Sequence, residues 1–186
     1  MSKFSIVVPC YNSFEHMHNC LESLKSQTFN DFEIIFIDDC SQDDTYLQLE
    51  EYLNKSNFNY KLLKNDENLG AGLTRNVGIE NATGKYVMFV DADDYIQSNT
   101  LELLEYIIVE NKVECIFFDY YYETNRNKIY YNTILGGIEG IISKSDALVY
   151  STGSTCCKVY LLENIKQNNI KFPNLKRNED FVFNKI

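Results

Sequence analysis

Asp91-Ala92-Asp93 sets two carboxylates one residue apart, directly after the apolar run Val87-Met88-Phe89-Val90. Paired oxygens at the end of a buried strand offer hard donors to Mg2+ or Mn2+, ions that complete their shells with water and substrate phosphate oxygens. Asp94 extends the cluster, and Asp38-Asp39 closes a second apolar run, Phe32 to Ile37. Acids gathered at one edge repel one another unless a cation or a ligand donor compensates. An acid-rich surface loop has the same composition, so the second acidic pair is what favours a binding site. Gly70-x-Gly72 suggests a dinucleotide-binding turn, but Arg75 stands where the third glycine is required and the polar Asn65–Asn68 stretch precedes the loop. Arg75 near a helix start fits better as a partner for an anion.

The elements that must position these groups alternate. Phe4 to Val8 reads as a buried strand ended by Pro9, and Asn12 or Ser13 caps a helix carrying Phe14, Met17, Leu21 and Leu24. Phe32 to Ile37 forms the second strand, followed by a helix with Leu47, Leu49, Tyr52 and Leu53. Tyr60 to Leu63 is a weaker third strand, and the helix after Gly72 stops near Gly84. Tyr86 to Val90, a helix over 101–109 and a strand over 115–118 follow. Strands apolar on both faces alternating with helices predict an α/β fold with a mainly parallel, Rossmann-like sheet flanked by helices. Ligands of such sheets sit at the strands' carboxyl ends, where Asp38, Asp39 and Asp91 to Asp94 all lie. Tyr120–Glu123 and Ile129–Ile134 predict a small antiparallel hairpin in the C-terminal half, and 143–150 and 160–168 short helices. Tyr120 to Tyr122 offer rings for sugar stacking, although packing within the hairpin is the simpler use.

Composition narrows the function classes. Lys and Arg number 17 against 27 Asp and Glu, a formal charge of −10, which argues against nucleic acid as a partner. No apolar run approaches membrane-spanning length, and the N-terminus lacks a secretion signal. The six cysteines show no C-x-x-C spacing and read as reduced thiols of a cytoplasmic protein. From Lys158 onward the charge reverses to six basic residues against three acidic, which makes peripheral contact with an anionic membrane conceivable. With no linker in view, residues 1–186 read as one domain. Its ending inside an apparent helix at Asn178-Glu179-Asp180 points to truncation at the C-terminus.

Taken in order, several segments resemble the family 2 glycosyltransferases of GT-A fold. They are Ile6-Val7-Val8-Pro9-x-Tyr11-Asn12, Ile37-Asp38-Asp39-Cys40-Ser41-x-Asp43-x-Thr45, Asn68-x-Gly70-x-Gly72-x-x-Arg75-Asn76-x-Gly78, Gly84 to Asp94 with the D-x-D acids, and Asn178-Glu179-Asp180. The resemblance implies an inverting, metal-dependent enzyme that moves a sugar from a nucleotide-diphosphate donor, often a UDP sugar, to a saccharide or lipid-linked acceptor. Bacterial surface polysaccharide or glycolipid synthesis at the inner face of the membrane is the implied setting. Residues 1–95 would form the donor half and 96–186 the acceptor half.

By the same resemblance, Asp39 accepts from the uracil imide, and Pro9 and Tyr11 line the base and ribose pocket. Asp91 sits by ribose or metal, and Asp93 ligates Mn2+ or Mg2+ at the diphosphate. Arg75 lies near base or diphosphate, and Asp180, with Glu179 beside it, is the general base. Two departures stand out. Cys40 replaces a glycine, which implies another loop conformation, and neither His16 nor His18 lies where some relatives place a metal-binding histidine. The rival readings are a sugar-nucleotide-binding or inactive truncated module of a larger synthase, and a nucleotidyltransferase; the absence of a long glycine-rich, basic triphosphate loop near the N-terminus counts against the latter.

Overall fold

A computed structural model describes residues 2–124, 127–131, 140–141, 154–175 and 179–183. Its main sheet has six strands in the order β3-β2-β1-β4-β8-β5. Strands β1 (Phe4–Cys10), β2 (Phe32–Asp38), β3 (Tyr60–Lys64) and β4 (Tyr86–Phe89) run parallel, with Phe4 opposite Phe32 and Tyr86. Strand β5 (Cys115–Phe117) reaches β4 only through β8 (Lys158–Leu161), which pairs antiparallel with both. The hairpin of β6 (Tyr120–Glu123) and β7 (Lys128–Tyr131) forms a separate two-stranded sheet.

Alternate strand residues feed two apolar layers. Phe4, Ile6, Val8, Ile34 and Phe36 face α1 (His18–Lys25), α2 (Thr45–Asn54) and α4 (Thr100–Asn111). Val7, Ile35, Ile37, Val87 and Phe89 face α3 (Ala71–Asn81), α5 (Leu162–Gln167) and Phe183 of α6 (Glu179–Phe183). Helices on both faces explain why the strands read as continuous apolar runs. Helix α3 lies hard against β1. A Cβ on Gly78 would stand 2.3 Å from Val7 Cγ1, so only glycine permits this approach. That contact places Arg75, one turn earlier on α3, over the carboxyl ends of β1 and β4.

Several expectations are corrected. Strand β1 runs through Pro9 to Cys10. Val7 accepts from Val90 on the β4 side, so the N–H that Pro9 lacks would point past the end of β4, where no ladder partner waits. Residues 160–161 belong to β8 rather than to a helix, because Val159 is fully buried between β4 and β5 and the chain turns helical only at Leu162. Leu47 is exposed rather than packed. Ser13 stands at the start of a 3-10 turn, Phe14–His16, without a side-chain cap bond. The proposed helix over 143–150 and the hairpin residues 132–134 lie outside the described residues.

Candidate functional site

At the carboxyl ends of β1 and β2, two loops are stitched together. The backbone N–H of Asn12 donates to Ser41 Oγ at 3.0 Å, Gln42 N–H to Asn12 Oδ1 at 2.8 Å, and Ser13 N–H to Thr45 Oγ1 at 2.9 Å. These bonds set Tyr11, 46% exposed, beside the second acidic pair. Asp39 is buried and organises the next loop: Oδ1 accepts from Asn65 Nδ2 and Leu69 N–H, and Oδ2 from Gly70 N–H, each at 2.8 Å. Asn65 also donates to Thr74 Oγ1 at 3.1 Å, tying the same clamp to α3. Cys40 carries φ +61, the left-handed conformation that favours glycine, so the loop keeps this backbone despite the side chain. Asp38 is wholly buried, accepts from Ser41 N–H and faces Lys64 at 3.6 Å.

Arg75 is the buried cation of the site. It is 4% exposed, with Nη2 donating to Asp91 Oδ1 at 2.7 Å and Nη1 to Asp180 Oδ1 at 3.0 Å and Glu179 Oε1 at 3.5 Å. The guanidinium carbon lies 5.6 Å from the centre of the Phe172 ring. Burial disfavours its charge, yet the carboxylates of Asp91 and Asp180 more than offset this and hold its pKa above the ordinary value. Burial also raises the Cys156 thiol, so it is protonated at neutral pH and the carboxylates supply the balancing charge. Glu179 crosses close to α3: a Cβ on Gly72 would stand 2.8 Å from Glu179 Cγ. Asp180 Oδ2 accepts from Thr155 N–H at 3.3 Å, which brings the chain after β7 to the same point.

Opposite this pair, the loop after β4 carries Asp91, Ala92, Asp93 and Asp94. Asp93 is exposed, and Asp91 is 39% exposed at its side chain. Asp94 is pushed up to about 6 by partial desolvation and then by the charges of Asp91 and Asp93. Such crowded carboxylates are the donor chemistry a hard divalent ion takes. Among the described residues no group of three or more His, Cys, Asp or Glu is arranged to close around an ion. Asp91 and Asp93 are the carboxylates that could hold Mn2+ or Mg2+ here, an ion that takes its remaining ligands from water and phosphate.

One cleft of about 570 Å³ gathers Pro9, Tyr11, Asp39, Arg75, Asp91, Asp93, Glu179 and Asp180, the residues to which the resemblance gives a donor, metal or base role, while Asp38, Asp94 and Tyr120 to Tyr122 do not line it. The arrangement turns Arg75 toward carboxylates, a partner set that the sequence reading did not foresee. His16 and His18 are exposed and join Asp93 around an adjoining cleft of about 560 Å³. Asn65, Thr155 and Phe172 were missed. Asn65 carried a signal, being an amide between a strand and a glycine loop, whereas Thr155 and Phe172 act through tertiary position alone.

A family model described as glycosyl transferase family 2 matches residues 5–168. The Staphylococcus aureus poly(ribitol-phosphate) beta-N-acetylglucosaminyltransferase TarS is 33% identical over 186 residues, covering 98% of this chain and 32% of the relative. A poly(ribitol-phosphate) beta-glucosyltransferase of Bacillus spizizenii is 33% identical over 186 residues, covering 97% of this chain and 28% of the relative. This chain thus spans about a third of the length of these curated relatives. The crystal structure of S. aureus TarS 1–349 superposes with a TM-score of 0.84 at 33% identity, covering 98% of this chain and 54% of that one. Its complexes with UDP and with UDP-GlcNAc each superpose at 0.82. These likenesses agree with the GT-A architecture that the strand order displays.

Proposed function

The chain belongs to glycosyl transferase family 2, and on that premise we propose that it moves a sugar from a nucleotide-diphosphate donor to a hydroxyl acceptor, with inversion at the anomeric carbon. The observation that carries this is the single cleft in which the acid loop after β4 faces Asp180, with Arg75 held between them. Because the S. aureus relative has been crystallised with UDP and UDP-GlcNAc, a UDP sugar, UDP-GlcNAc first, is the donor to test. The names of the relatives point to a ribitol phosphate polymer as the first acceptor to test, within bacterial surface polysaccharide or glycolipid synthesis. Such an acceptor would be met at the inner, cytoplasmic face of the membrane, where the basic stretch beyond Lys158 can approach anionic lipid.

In this reading residues 1–95 hold the donor and 96–186 serve the acceptor. Asp39 sits at the base end of the cleft with Pro9 and Tyr11, and its spare lone pair on Oδ2 accepts the uracil imide. Asp91 and Asp93 would hold Mn2+ or Mg2+, which would supply the positive charge that a leaving diphosphate requires. Asp180 takes the proton of the acceptor hydroxyl as its oxygen attacks the anomeric carbon. The new glycosidic C–O bond forms on the face opposite the breaking C–O bond, and the electron pair leaves on the nucleoside diphosphate. Arg75, 3.0 Å from Asp180 Oδ1, holds the carboxylate turned toward that face.

The test is Asp180→Asn assayed with UDP-GlcNAc and poly(ribitol phosphate). The expected result is a loss of transfer of at least about a hundredfold, the usual worth of a general base, with UDP affinity kept within a factor of about three. Undiminished transfer would overturn the base assignment. A wild-type protein that binds UDP but transfers to no acceptor would favour the second reading, a donor-binding module of a larger synthase. The share of the relatives' length outside this alignment makes that reading worth the control.

A further inference from the structure

The β6–β7 hairpin is built in a way that its own packing does not explain. Register sets Tyr121 opposite Tyr130 and Glu123 opposite Lys128 on one face, and Tyr120 opposite Tyr131 and Tyr122 opposite Ile129 on the other. Two-stranded hairpins are marginal in water, and aromatic residues in them ordinarily seek a core. Here Tyr121 and Tyr130 remain 50% and 52% exposed, although their ring centres are 5.3 Å apart. Lys128 Nζ lies 4.8 Å from the Tyr121 ring centre and 3.7 Å from Glu123.

The same face is fastened to the catalytic loop. The hydroxyl of Tyr95, two residues past Asp93, donates to Glu123, and the hydroxyl of Tyr130 donates to Asp119. Tyr95 is itself 47% exposed. The exposed aromatic surface therefore starts beside Asp93 and continues onto the hairpin. Carboxylates fix two of its three hydroxyls, so these rings are held before any partner arrives, which lowers the entropy cost of binding. We infer that Tyr95, Tyr121 and Tyr130 form a stacking platform for the saccharide or alditol units of the acceptor chain, next to the point of transfer.

The chemistry of the patch favours that occupant. Tyrosine offers an apolar ring face with a polar edge, which suits ligands that alternate C–H faces with hydroxyls. Glu123 and Asp119 outnumber Lys128 on this face, and Glu123 lies 3.7 Å from that ammonium, so the patch is net negative and suits the hydroxyl-rich part of a chain better than its anionic part. An aromatic surface continuous with a cleft marks an interaction site rather than scattered exposure. This inference rests on the glycosyl-transfer reading and adds where the acceptor lies.

Calorimetry with poly(ribitol phosphate) tests it, with polyphosphate as a polyanion that lacks the alditol, and with UDP binding measured on each variant. Tyr121→Ala with Tyr130→Ala should weaken poly(ribitol phosphate) binding at least about tenfold, as for loss of interface anchors, and leave UDP affinity within about twofold. Tyr121→Phe with Tyr130→Phe keeps the rings and should hold acceptor affinity within about threefold. The inference is overturned if the alanine pair binds the polymer as wild type does, if the phenylalanine pair loses as much as the alanine pair, or if wild type binds polyphosphate equally well or neither polymer. Failure of wild type to bind UDP would instead contradict the donor reading beneath it.

Discussion

Asp91 and Asp180 share one guanidinium: Arg75 donates to the first through Nη2 and to the second through Nη1. Residues far apart in the chain, one on the loop after β4 and one the proposed base, are thereby held at a fixed separation by a side chain that is itself 4% exposed. A planar fork does this; a lysine ammonium, a point charge on a flexible stem, cannot hold both in the same geometry.

Arg75→Lys should therefore damage transfer more than donor binding. The expected outcome is a fall in kcat of about tenfold or more, with UDP affinity changed by less than about threefold, since misplacing a catalytic group by an ångström has costs of that order. Stability should drop by about 1–3 kcal/mol in urea unfolding, less than for a wholly buried pair because the carboxylates are partly solvated. Steady-state kinetics beside UDP calorimetry separate the two effects, and equal losses in both would count against the bridging role.

Glu33 gives a prediction about pH. Its carboxylate, on the interior strand β2, accepts from Ser5 Oγ at 2.7 Å, Thr83 N–H at 2.7 Å and Thr83 Oγ1 at 2.8 Å, with Lys61 at 3.3 Å. Burial would raise its pKa, but the bonds from Ser5 and Thr83 and the charge of Lys61 more than offset that and lower it from 4.5. A depressed carboxyl contributes stability above its unfolded value, and that contribution fades as pH falls below 4.5 through the folded value. Glu33→Gln should cost about 1–3 kcal/mol at pH 7 by leaving donors poorly matched. The difference from wild type should shrink below pH 4.5; a difference unchanged across that range would contradict this account.

Cys40 holds φ +61, and its Sγ has one weak contact, Asp66 O at 3.7 Å. Cys40→Gly removes left-handed strain of about 1–2 kcal/mol and loses about 0.4–1 kcal/mol through the freer unfolded chain. The net should lie between no change and a gain of about 1.6 kcal/mol, while Cys40→Val should lose at least about 1 kcal/mol because a branched Cβ fits that conformation worst. Paired denaturation curves decide it, and a glycine variant less stable than wild type would refute the strain.

Much of the fold was legible because both faces of each parallel strand are buried, so strands such as Ile34 to Ile37 stand out as apolar runs. The acids were legible because they follow those runs directly. What failed was context. Val159 to Leu162 is as apolar as a short buried helix, and only its place between β4 and β5 makes its first three residues a strand. Pro9 looked like a stop, but a proline is tolerated where its missing N–H faces no partner. The partners of Arg75 could not be read at all, because Asp180 is 105 residues away and the ion pair exists only after α6 crosses α3 at Gly72.

UDP binding by calorimetry, with and without Mn2+, on this protein and on Asp93→Ala tests the donor site most directly. The predicted result is binding that Mn2+ strengthens at least about tenfold and that loses the Mn2+ effect in Asp93→Ala, as expected if Asp93 helps to hold the ion. UDP affinity indifferent to both Mn2+ and Asp93, in a protein that stays folded, would contradict it.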